Sequence, residues 1–437
     1  MLNPMDIFGK SFDCDCGRTH EIQPREIVYE TGALGRLPEV CARATKGRRV
    51  AVIMDARTQK AAGHAACEAL RGAGWRATPL LVPDPPGHSP DCDDPTHKAL
   101  AERCGDQDLF VSVGSGVMTD LTRWLARDAE RPFVSFATAA SMNGYASANV
   151  SVAIRGVKTL MWARPPVAIV SDPAVLARAP WEMTAAGLGD VLAKPVSGPD
   201  WKLGNILFGD YYCAQSVNLI TAVERQYMER PEALRAGEPG PMEALFHALL
   251  LGGAAMNMAG TSSPCSGAEH LIGHTLDMMA TRDGAPHDLH GRQIGITSVI
   301  ASELYRRVLE AESPLVTEPK PGPDPAFWGS LAESVREFYK GKDELLETAR
   351  KALVQPGAWD RVRTELAPMV MPPAALRDCL KRAGAAWRAE DIGCDRARLT
   401  QALTHAHEMR ARFTVLDLAR MAGVLPGAAE EIVEAWA

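Results

Sequence analysis

The stretch that decides the fold runs "DLFVSVGSGVMTDLTRWLARDAERPFVSFAT" from Asp108 to Thr138. It opens with a short apolar run typical of a buried strand, turns at two glycines, continues as a helix and ends in a second apolar run. The same alternation occurs upstream, with candidate strands at 49–55 and 76–84 and candidate helices at 58–74 and 93–105. The pattern predicts a mostly parallel sheet with helices on both faces.

The pattern changes after residue 172. The segment "SVAIRGVKTLMWARPPVAIVSDP", residues 151–173, predicts a hairpin and one more strand, and helical periodicity dominates from there to the end. The chain has 437 residues, which is long enough for two domains. We therefore expect a Rossmann-like α/β domain at 1–175 and an all-helical domain at 176–437.

Composition narrows the class of protein. The chain is 46% hydrophobic and 23% charged, as soluble globular proteins are, and its net charge of −7 argues against a nucleic-acid-binding surface. No apolar run reaches the ~20 residues of a membrane helix, and the N-terminus does not have the form of a secretory signal. Ten cysteines without a framework pattern indicate a reducing compartment. We expect a cytoplasmic protein.

The glycine turn indicates a nucleotide. Gly114 and Gly116 would let a backbone approach a ligand closely, and the N-terminus of the helix that follows favours phosphate. Thr119 breaks the G-x-G-x-x-G pattern, so an ordinary strand-to-helix turn explains the glycines about as well. Asp55 also follows a strand, and it could bind an adenosine ribose or cap a helix.

Four histidines occur in "GAEHLIGHTLDMMATRDGAPHDLHG", residues 267–291. The S-x-x-E sequence at 266–269 has the form of a capping box and predicts a helix that begins near Ser266. His270 and His274 then lie on one face of this helix, and a second helix begins near His290. His287 falls in the intervening loop, where we expect it to be exposed. The histidines could be ordinary polar residues or part of a metal site.

A catalytic metal site usually has three protein ligands, and a carboxylate would complete a site with two histidines. Asp190, in "WEMTAAGLGDVLAK", is the candidate. The alternative is an exposed ion pair between Asp190 and Lys194, which would contribute little to stability. A second cluster of metal-binding residue types, Cys14, Cys16 and His20 in "CDCGRTH", has no evident fourth ligand, so we favour a tight turn with buried thiols there.

The ordered set of motifs resembles the iron-containing alcohol dehydrogenase and dehydroquinate synthase superfamily, and within it the sn-glycerol-1-phosphate dehydrogenases. The resemblance covers nearly the whole chain. The motifs that carry it are "FDCDCGRTHEI", "VGSGVMTDLTR", "FATAASMNGYAS", "AAGLGDVLAK", "DWKL", "SGAEHLIGH", "HGRQIG" and "RFTVLDLARMAG".

The resemblance implies a role for each candidate residue. It implies that Asp190, His270 and His290 bind zinc or nickel, and that His274 lies near the substrate or the nicotinamide. NADH or NADPH would be held by Asp55, Gly114, Ser115, Gly116, Val117, Met118, Thr138, Ala139, Ala140, Ser141 and Ser147. The active site would lie in the cleft between the two domains, and the protein would be a homodimer or a larger homo-oligomer.

The implied reaction interconverts dihydroxyacetone phosphate and sn-glycerol 1-phosphate, or a related phosphorylated ketone and polyol. Lys194 is a candidate contact for the substrate phosphate. The chain departs from the family at Asn143, in "SMNG", where an aspartate is expected to touch the substrate hydroxyl. The alternatives are a sugar-phosphate cyclase or lyase of the dehydroquinate synthase type with tightly bound NAD, and a sensor that binds nucleotide or metal without catalysis.

Overall fold

The computed structural model describes residues 4–85, 89–219, 221–312, 316–317 and 322–437. The strands are β1 Ser11–Asp13, β2 Thr19–Glu21, β3 Glu26–Tyr29, β4 Arg49–Met54, β5 Arg76–Leu81, β6 Leu109–Gly114, β7 Phe133–Ala137, β8 Asn149–Ile154, β9 Val157–Trp162 and β10 Ala168–Ser171.

The α-helices are more numerous in the second half of the chain. They are α1 Leu37–Ala44, α2 Ala56–Thr58, α3 His64–Gly72, α4 Asp94–Cys104, α5 Gly116–Asp128, α6 Pro173–Leu176, α7 Trp181–Val191, α8 Lys194–Phe208, α9 Ala214–Asn218, α10 Thr221–Met228, α11 Pro231–Arg235, α12 Pro239–Ala259, α13 Ala268–Asp283, α14 His290–Glu310, α15 Pro325–Trp328, α16 Ala332–Tyr339, α17 Lys342–Leu353, α18 Ala358–Leu366, α19 Pro373–Ala383, α20 Arg396–His405, α21 Val415–Met421 and α22 Ala429–Trp436.

Six strands form one parallel sheet in the order β3-β10-β7-β6-β4-β5. Every residue of β6, β7 and β10 is buried, as are all but the first residue of β4. A parallel sheet covered by helices on both faces requires such continuous apolar strands. The predicted α/β fold with a helical C-terminal part is therefore confirmed.

Two antiparallel hairpins stand apart from this sheet. β8 pairs with β9, as the sequence predicts. β1 pairs with β2 over three residues each, a hairpin that the sequence does not signal because its strands are too short to show a period.

The chain divides into two compact units, one formed by Met1–Gly187 and Asn218–Thr261, the other by Leu188–Val217 and Ser262–Ala437. The sequence-based boundary after residue 175 differs from this division, because residues 176–187 and 218–261 pack with the first unit. Helical periodicity shows that a segment is helical, but it does not show which core the helix joins.

Helix α12 is long and apolar enough to cross a membrane by length and composition alone. However, 83% of its most apolar window is buried inside the protein. The helix is therefore hydrophobic on all sides because it lies in a core.

Candidate active site

Three predicted ligands converge within the second unit. One donor atom from each of Asp190, His270 and His290 lies within 4.8 Å of the other two. Asp190 lies near the end of α7, His270 in the first turn of α13, and His290 at the first position of α14. The predicted convergence of two consecutive helix starts thus occurs in the structure.

Glu269 fixes the orientation of the His270 ring. The Nδ1 atom of His270 lies 2.9 Å from Oε1 of the fully buried Glu269, and its Nε2 lies 3.5 Å from Oδ1 of Asp190. A carboxylate behind a histidine is the usual support of a metal-binding ring, since it holds the other nitrogen towards the ion.

These distances suit a divalent cation. With metal–ligand bonds of about 2.0–2.1 Å, two ligand atoms of a tetrahedral site lie about 3.3 Å apart, close to the 3.5 Å between Asp190 and His270. Burial lowers the pKa of His270, but hydrogen bonds to Asp190 and Glu269 outweigh it and raise the pKa to about 9. The site therefore favours positive charge, and its residues fit a metal ion.

The start of α13 corrects one prediction. Gly267, and not Ser266, occupies the N-cap position. Because glycine has no side chain, the N-cap residue cannot cap the helix. The backbone N–H of Ala268 instead donates to Oδ2 of Asp200, at 2.7 Å. The capping-box prediction is wrong at Ser266 because the helix begins two residues later, although the Glu269 side chain accepts from the backbone N–H of Gly267, at 2.7 Å.

Asp200 supports more than one helix. Its Oδ1 accepts hydrogen bonds from the Tyr305 hydroxyl, at 2.6 Å, and from the backbone N–H of Val415 at the start of α21, at 2.7 Å. Burial, together with the charge of Glu269, raises the pKa of Asp200 to about 7. A single carboxylate thereby anchors the N-terminal ends of α13 and α21.

His274 lies beside the three candidate ligands. Its ring stacks on His290 with centroids 5.1 Å apart, and the Arg410 guanidinium donates to its Nδ1 at 2.8 Å. Because Nδ1 accepts this bond, the ring proton is held at Nε2.

Arg410 carries a charge without a counter-ion. Among the residues that the structure describes, it forms no ion pair, and its buried Nε has no hydrogen-bond partner. Burial, and then the nearby guanidinium of Arg412, lower the pKa of Arg410 to about 9. An anion next to Arg410 would balance the buried charge and could accept a hydrogen bond from its Nε–H.

The ion-pair alternative for Asp190 is wrong. Asp190 is only 1% exposed, and the Lys194 ammonium lies against Sγ of Cys265, at 3.1 Å. A buried carboxylate next to two histidines has a different environment from a solvated surface pair.

Close backbone packing holds α7 against α14. A Cβ atom added to Gly189 would lie 1.9 Å from the carbonyl oxygen of Gly291, so only glycine allows this approach. The two glycines are the immediate neighbours of Asp190 and His290. The approach of the two backbones therefore sets the separation of these ligands.

The predicted dinucleotide residues lie in the first unit. β6 ends at Gly114, and α5 begins at Gly116 without a side-chain cap from Ser115. The first N–H groups of α5, which include those of Val117 and Met118, therefore have no side-chain acceptor from the N-cap residue, and a phosphate could accept from them. A Cβ at Gly116 would meet only the Met142 side chain, at 3.5 Å.

The loop after β7 carries the remaining predicted contacts. Thr138, Ala139, Ala140, Ser141, Asn143 and Ser147 are all buried. The loop packs closely on glycines, since a Cβ at Gly187 would lie 1.9 Å from the Ala140 carbonyl oxygen. Its conformation is therefore tightly constrained.

Arg123 fixes the conformation of this loop by donating hydrogen bonds to its backbone. The buried guanidinium donates to the carbonyl oxygens of Gly144, Tyr145 and Asn149, at 2.6, 3.0 and 2.7 Å, and to Oδ1 of Asp120 at 2.6 Å. The sequence shows no sign of this role, because the three carbonyl acceptors reach Arg123 only in the folded chain.

The Asp55 carboxylate accepts hydrogen bonds from residues close to it in sequence. Its Oδ1 accepts from the backbone N–H of Thr58, at 2.7 Å, and its Oδ2 from Arg57, at 2.6 Å. Asp55 caps the short helix α2, which is the alternative that the sequence left open. A ribose hydroxyl would have to share this carboxylate with Arg57.

Cys14, Cys16 and His20 also lie together. Their donor atoms are within 4.8 Å of one another on the β1–β2 hairpin. His20 is buried, but Cys14 and Cys16 are partly exposed, so the prediction of buried thiols is wrong.

Sequence analysis missed Glu269, Asp200 and Arg410. Each lies within a motif quoted above or next to one, but a carboxylate beside a histidine or an arginine in a helical region has no distinctive spacing. Only the folded chain shows that Glu269 touches His270 and that Arg410 touches His274.

Known proteins resemble this chain over its length. A sequence profile described as iron-containing alcohol dehydrogenase matches residues 28–180. The glycerol-1-phosphate dehydrogenase (NAD(P)+) of Geobacillus stearothermophilus is 31% identical, with 94% of this chain and 96% of the relative covered. That of Geobacillus thermodenitrificans is 29% identical with the same coverage. The chain belongs to the glycerol-1-phosphate dehydrogenase family.

The fold is shared more widely. The crystal structure of a probable glycerol dehydrogenase from Sinorhizobium meliloti superposes with a TM-score of 0.60 at 17% identity, covering 94% of this chain and 98% of the other. Membership of the family makes the chain an oxidoreductase.

Proposed function

We propose that the protein is a metal- and NAD(P)-dependent dehydrogenase that interconverts dihydroxyacetone phosphate and sn-glycerol 1-phosphate. The observation that carries the proposal is the convergence of the buried Asp190 and His270 with the partly buried His290, with Glu269 behind His270. The names of the relatives supply the substrate and the cofactor. We further infer a cytoplasmic homo-oligomer.

The second unit would hold the metal. Two imidazoles and one carboxylate suit zinc or nickel, and three protein ligands leave a position for substrate. When bound, the metal would polarise the ketone oxygen, and the nicotinamide would supply the hydride. Asp190 and Glu269 would hold the ligand set in place, since both are buried on either side of His270.

His274 would supply the proton. Because its Nδ1 accepts from Arg410, His274 carries its ring proton on Nε2, and this N–H would donate to the oxygen that takes up charge during reduction. Buried next to His290, this group would transfer its proton directly or through a substrate hydroxyl.

Arg410 would bind the substrate phosphate. It lies one hydrogen bond from His274, bears no counter-ion among the described residues and presents an arginine fork that matches phosphate. Lys194, the candidate from the sequence, is a weaker proposal because its ammonium already contacts Cys265.

The first unit would hold the dinucleotide. The uncapped start of α5 would receive the pyrophosphate, and Thr138, Ala139, Ala140, Ser141 and Ser147 would line the rest of the cofactor. Asp55 would contact the adenosine ribose while it caps α2.

The test is a steady-state assay of purified protein reconstituted separately with zinc and with nickel. We expect stoichiometric oxidation of NADH or NADPH with dihydroxyacetone phosphate. A cyclase would return its cofactor unchanged, so product formation without net oxidation would overturn the proposal. Absence of any turnover with both metals and both cofactors would also overturn it.

A matched pair of histidine variants tests the metal ligands. His290→Ala should abolish metal binding, measured by elemental analysis, and activity. His287→Ala, from the same segment but exposed, should retain both. Full metal occupancy in His290→Ala would refute the ligand assignment.

A further inference from the structure

The β1–β2 hairpin brings metal-binding atoms together near the start of the chain. Its tight turn is closed by hydrogen bonds from Cys14 N–H to the Arg18 carbonyl oxygen, at 3.0 Å, and from Gly17 N–H to the Cys14 carbonyl oxygen, at 2.9 Å. Gly17 adopts a φ of +81°, a conformation that L side chains rarely adopt. The turn directs both cysteines towards His20 on β2.

The donor distances match a tetrahedral thiolate–imidazole site. Sγ of Cys16 and Nε2 of His20 lie 3.2 Å apart, and Sγ of Cys14 is within 4.8 Å of both donor positions. With Zn–S and Zn–N bonds of about 2.3 and 2.0 Å, the sulfur and nitrogen of a tetrahedral site lie about 3.5 Å apart. A shift of a few tenths of an ångström would therefore accommodate an ion.

We propose that Cys14, Cys16 and His20 bind one borderline-soft divalent cation, of the Zn²⁺ class, at a site separate from the one formed by Asp190, His270 and His290. Two sulfurs and one imidazole prefer such ions to magnesium or calcium. Binding displaces one proton from each thiol, so the cation replaces two protons and bonds to two thiolates and the neutral ring.

A hydrogen bond between a thiol and the imidazole would explain Cys16 and His20 alone. That bond needs a single thiol, whereas the hairpin brings two sulfurs to the same ring. A cation uses all three donors. The proposal does not depend on the dehydrogenase reaction.

The cation would stabilise the hairpin. β1 and β2 form their own two-stranded sheet, with three residues in each strand. A ladder this short is marginal in water, and a bond network across the turn would fix its register.

Cobalt titration distinguishes the two sites. Added to metal-free protein, Co²⁺ bound to thiolates gives an intense charge-transfer band in the near ultraviolet, which a carboxylate–imidazole site does not. We expect this band in the wild type and equally in His290→Ala. It should disappear in Cys14→Ala/Cys16→Ala and persist in Cys104→Ala, a control that removes a buried cysteine of α4.

Absence of the band in the wild type, or its persistence in the double variant, would overturn the proposal. His20→Gln keeps both thiols and tests the site if the double variant does not fold. We expect it to bind cobalt at least about tenfold more weakly. Bound Zn²⁺ should also protect Cys14 and Cys16 from alkylation, mapped by mass spectrometry on the wild type, and unaltered alkylation of these two residues would contradict the site.

Discussion

Asn143 stands where the family resemblance implies an aspartate, and the structure buries it in the constrained loop after β7. If the substrate is dihydroxyacetone phosphate, Asn143→Asp should restore a charged acceptor for its hydroxyl. A charged hydrogen bond contributes about 1.5–3 kcal/mol against roughly 1 for a neutral one. The increase in kcat/KM could therefore approach about tenfold.

Steady-state kinetics of both proteins should be compared on dihydroxyacetone phosphate, dihydroxyacetone and other phosphorylated ketoses. A decrease on one of the other ketoses would identify that substrate class as the one matched to asparagine. Identical kinetics on every substrate would show that Asn143 does not face the substrate.

The proposed contact between Arg410 and the substrate phosphate can be tested by comparing substrates with and without phosphate. Arg410→Met keeps the length of the side chain but removes the charge. Losing a charge-assisted hydrogen bond of about 1.5–3 kcal/mol should raise KM for dihydroxyacetone phosphate by about 10- to 100-fold. KM for dihydroxyacetone, which has no phosphate, should change little.

Lys194→Met provides the comparison. If that variant shows the phosphate-specific effect and Arg410→Met does not, the phosphate binds at Lys194. An equal loss on both substrates in Arg410→Met would mean that Arg410 acts only by positioning His274, to which it donates.

At the scale of helices, the packing of α7 on α14 sets the geometry of the candidate metal site. Gly189→Ala would force a Cβ against the Gly291 carbonyl oxygen, which lies 1.9 Å from the ideal position. The helices would have to separate, and with them Asp190 and His290. We expect reduced metal content and a lower melting temperature.

Gly72→Ala, in α3, serves as the control because a Cβ there has no neighbour within 4 Å. It should leave metal content unchanged and stabilise the helix by about 0.5–1 kcal/mol. Wild-type metal affinity in Gly189→Ala would show that the backbone contact does not set the ligand spacing.

The strands, the helix starts and the residues of the candidate site could be predicted from the sequence to different degrees. The strands of the parallel sheet are visible in sequence because burial on both faces makes them continuous apolar runs. The start of α13 was predicted to within two residues but its cap was not, since the carboxylate that accepts from the Ala268 N–H is Asp200, more than sixty residues away. The candidate metal ligands can be proposed from residue type and spacing, whereas the supporting Glu269 and Arg410 cannot, because their roles depend on contacts made only in the fold.

The stability of the whole molecule should depend on pH through Asp120. Burial raises the pKa of this carboxyl to about 6, despite the opposing effect of Arg123. The ordinary value is about 3.9, so between these pH values the native protein holds a proton that the unfolded chain has lost. The free energy of unfolding therefore decreases as pH rises through this window, by up to ~3 kcal/mol.

Asp120→Asn removes this contribution. The melting temperature of the wild type minus that of the variant should therefore decrease from pH ~4.5 to pH ~6.5. Asp106→Asn, which changes a carboxylate that is 68% exposed, should show no such trend. A difference for Asp120→Asn that stays constant across the range would contradict the raised pKa.

The spacing of the candidate ligands along the chain has a consequence for biosynthesis. Eighty residues separate Asp190 from His270, and part of that interval, Asn218–Thr261, folds into the other unit. His290 follows only after α13. A nascent chain on the ribosome therefore cannot complete the candidate ligand set until two-thirds of it has been translated, whereas Cys14, Cys16 and His20 are all present once His20 emerges. Metal supply during translation would thus serve the two sites in a fixed order.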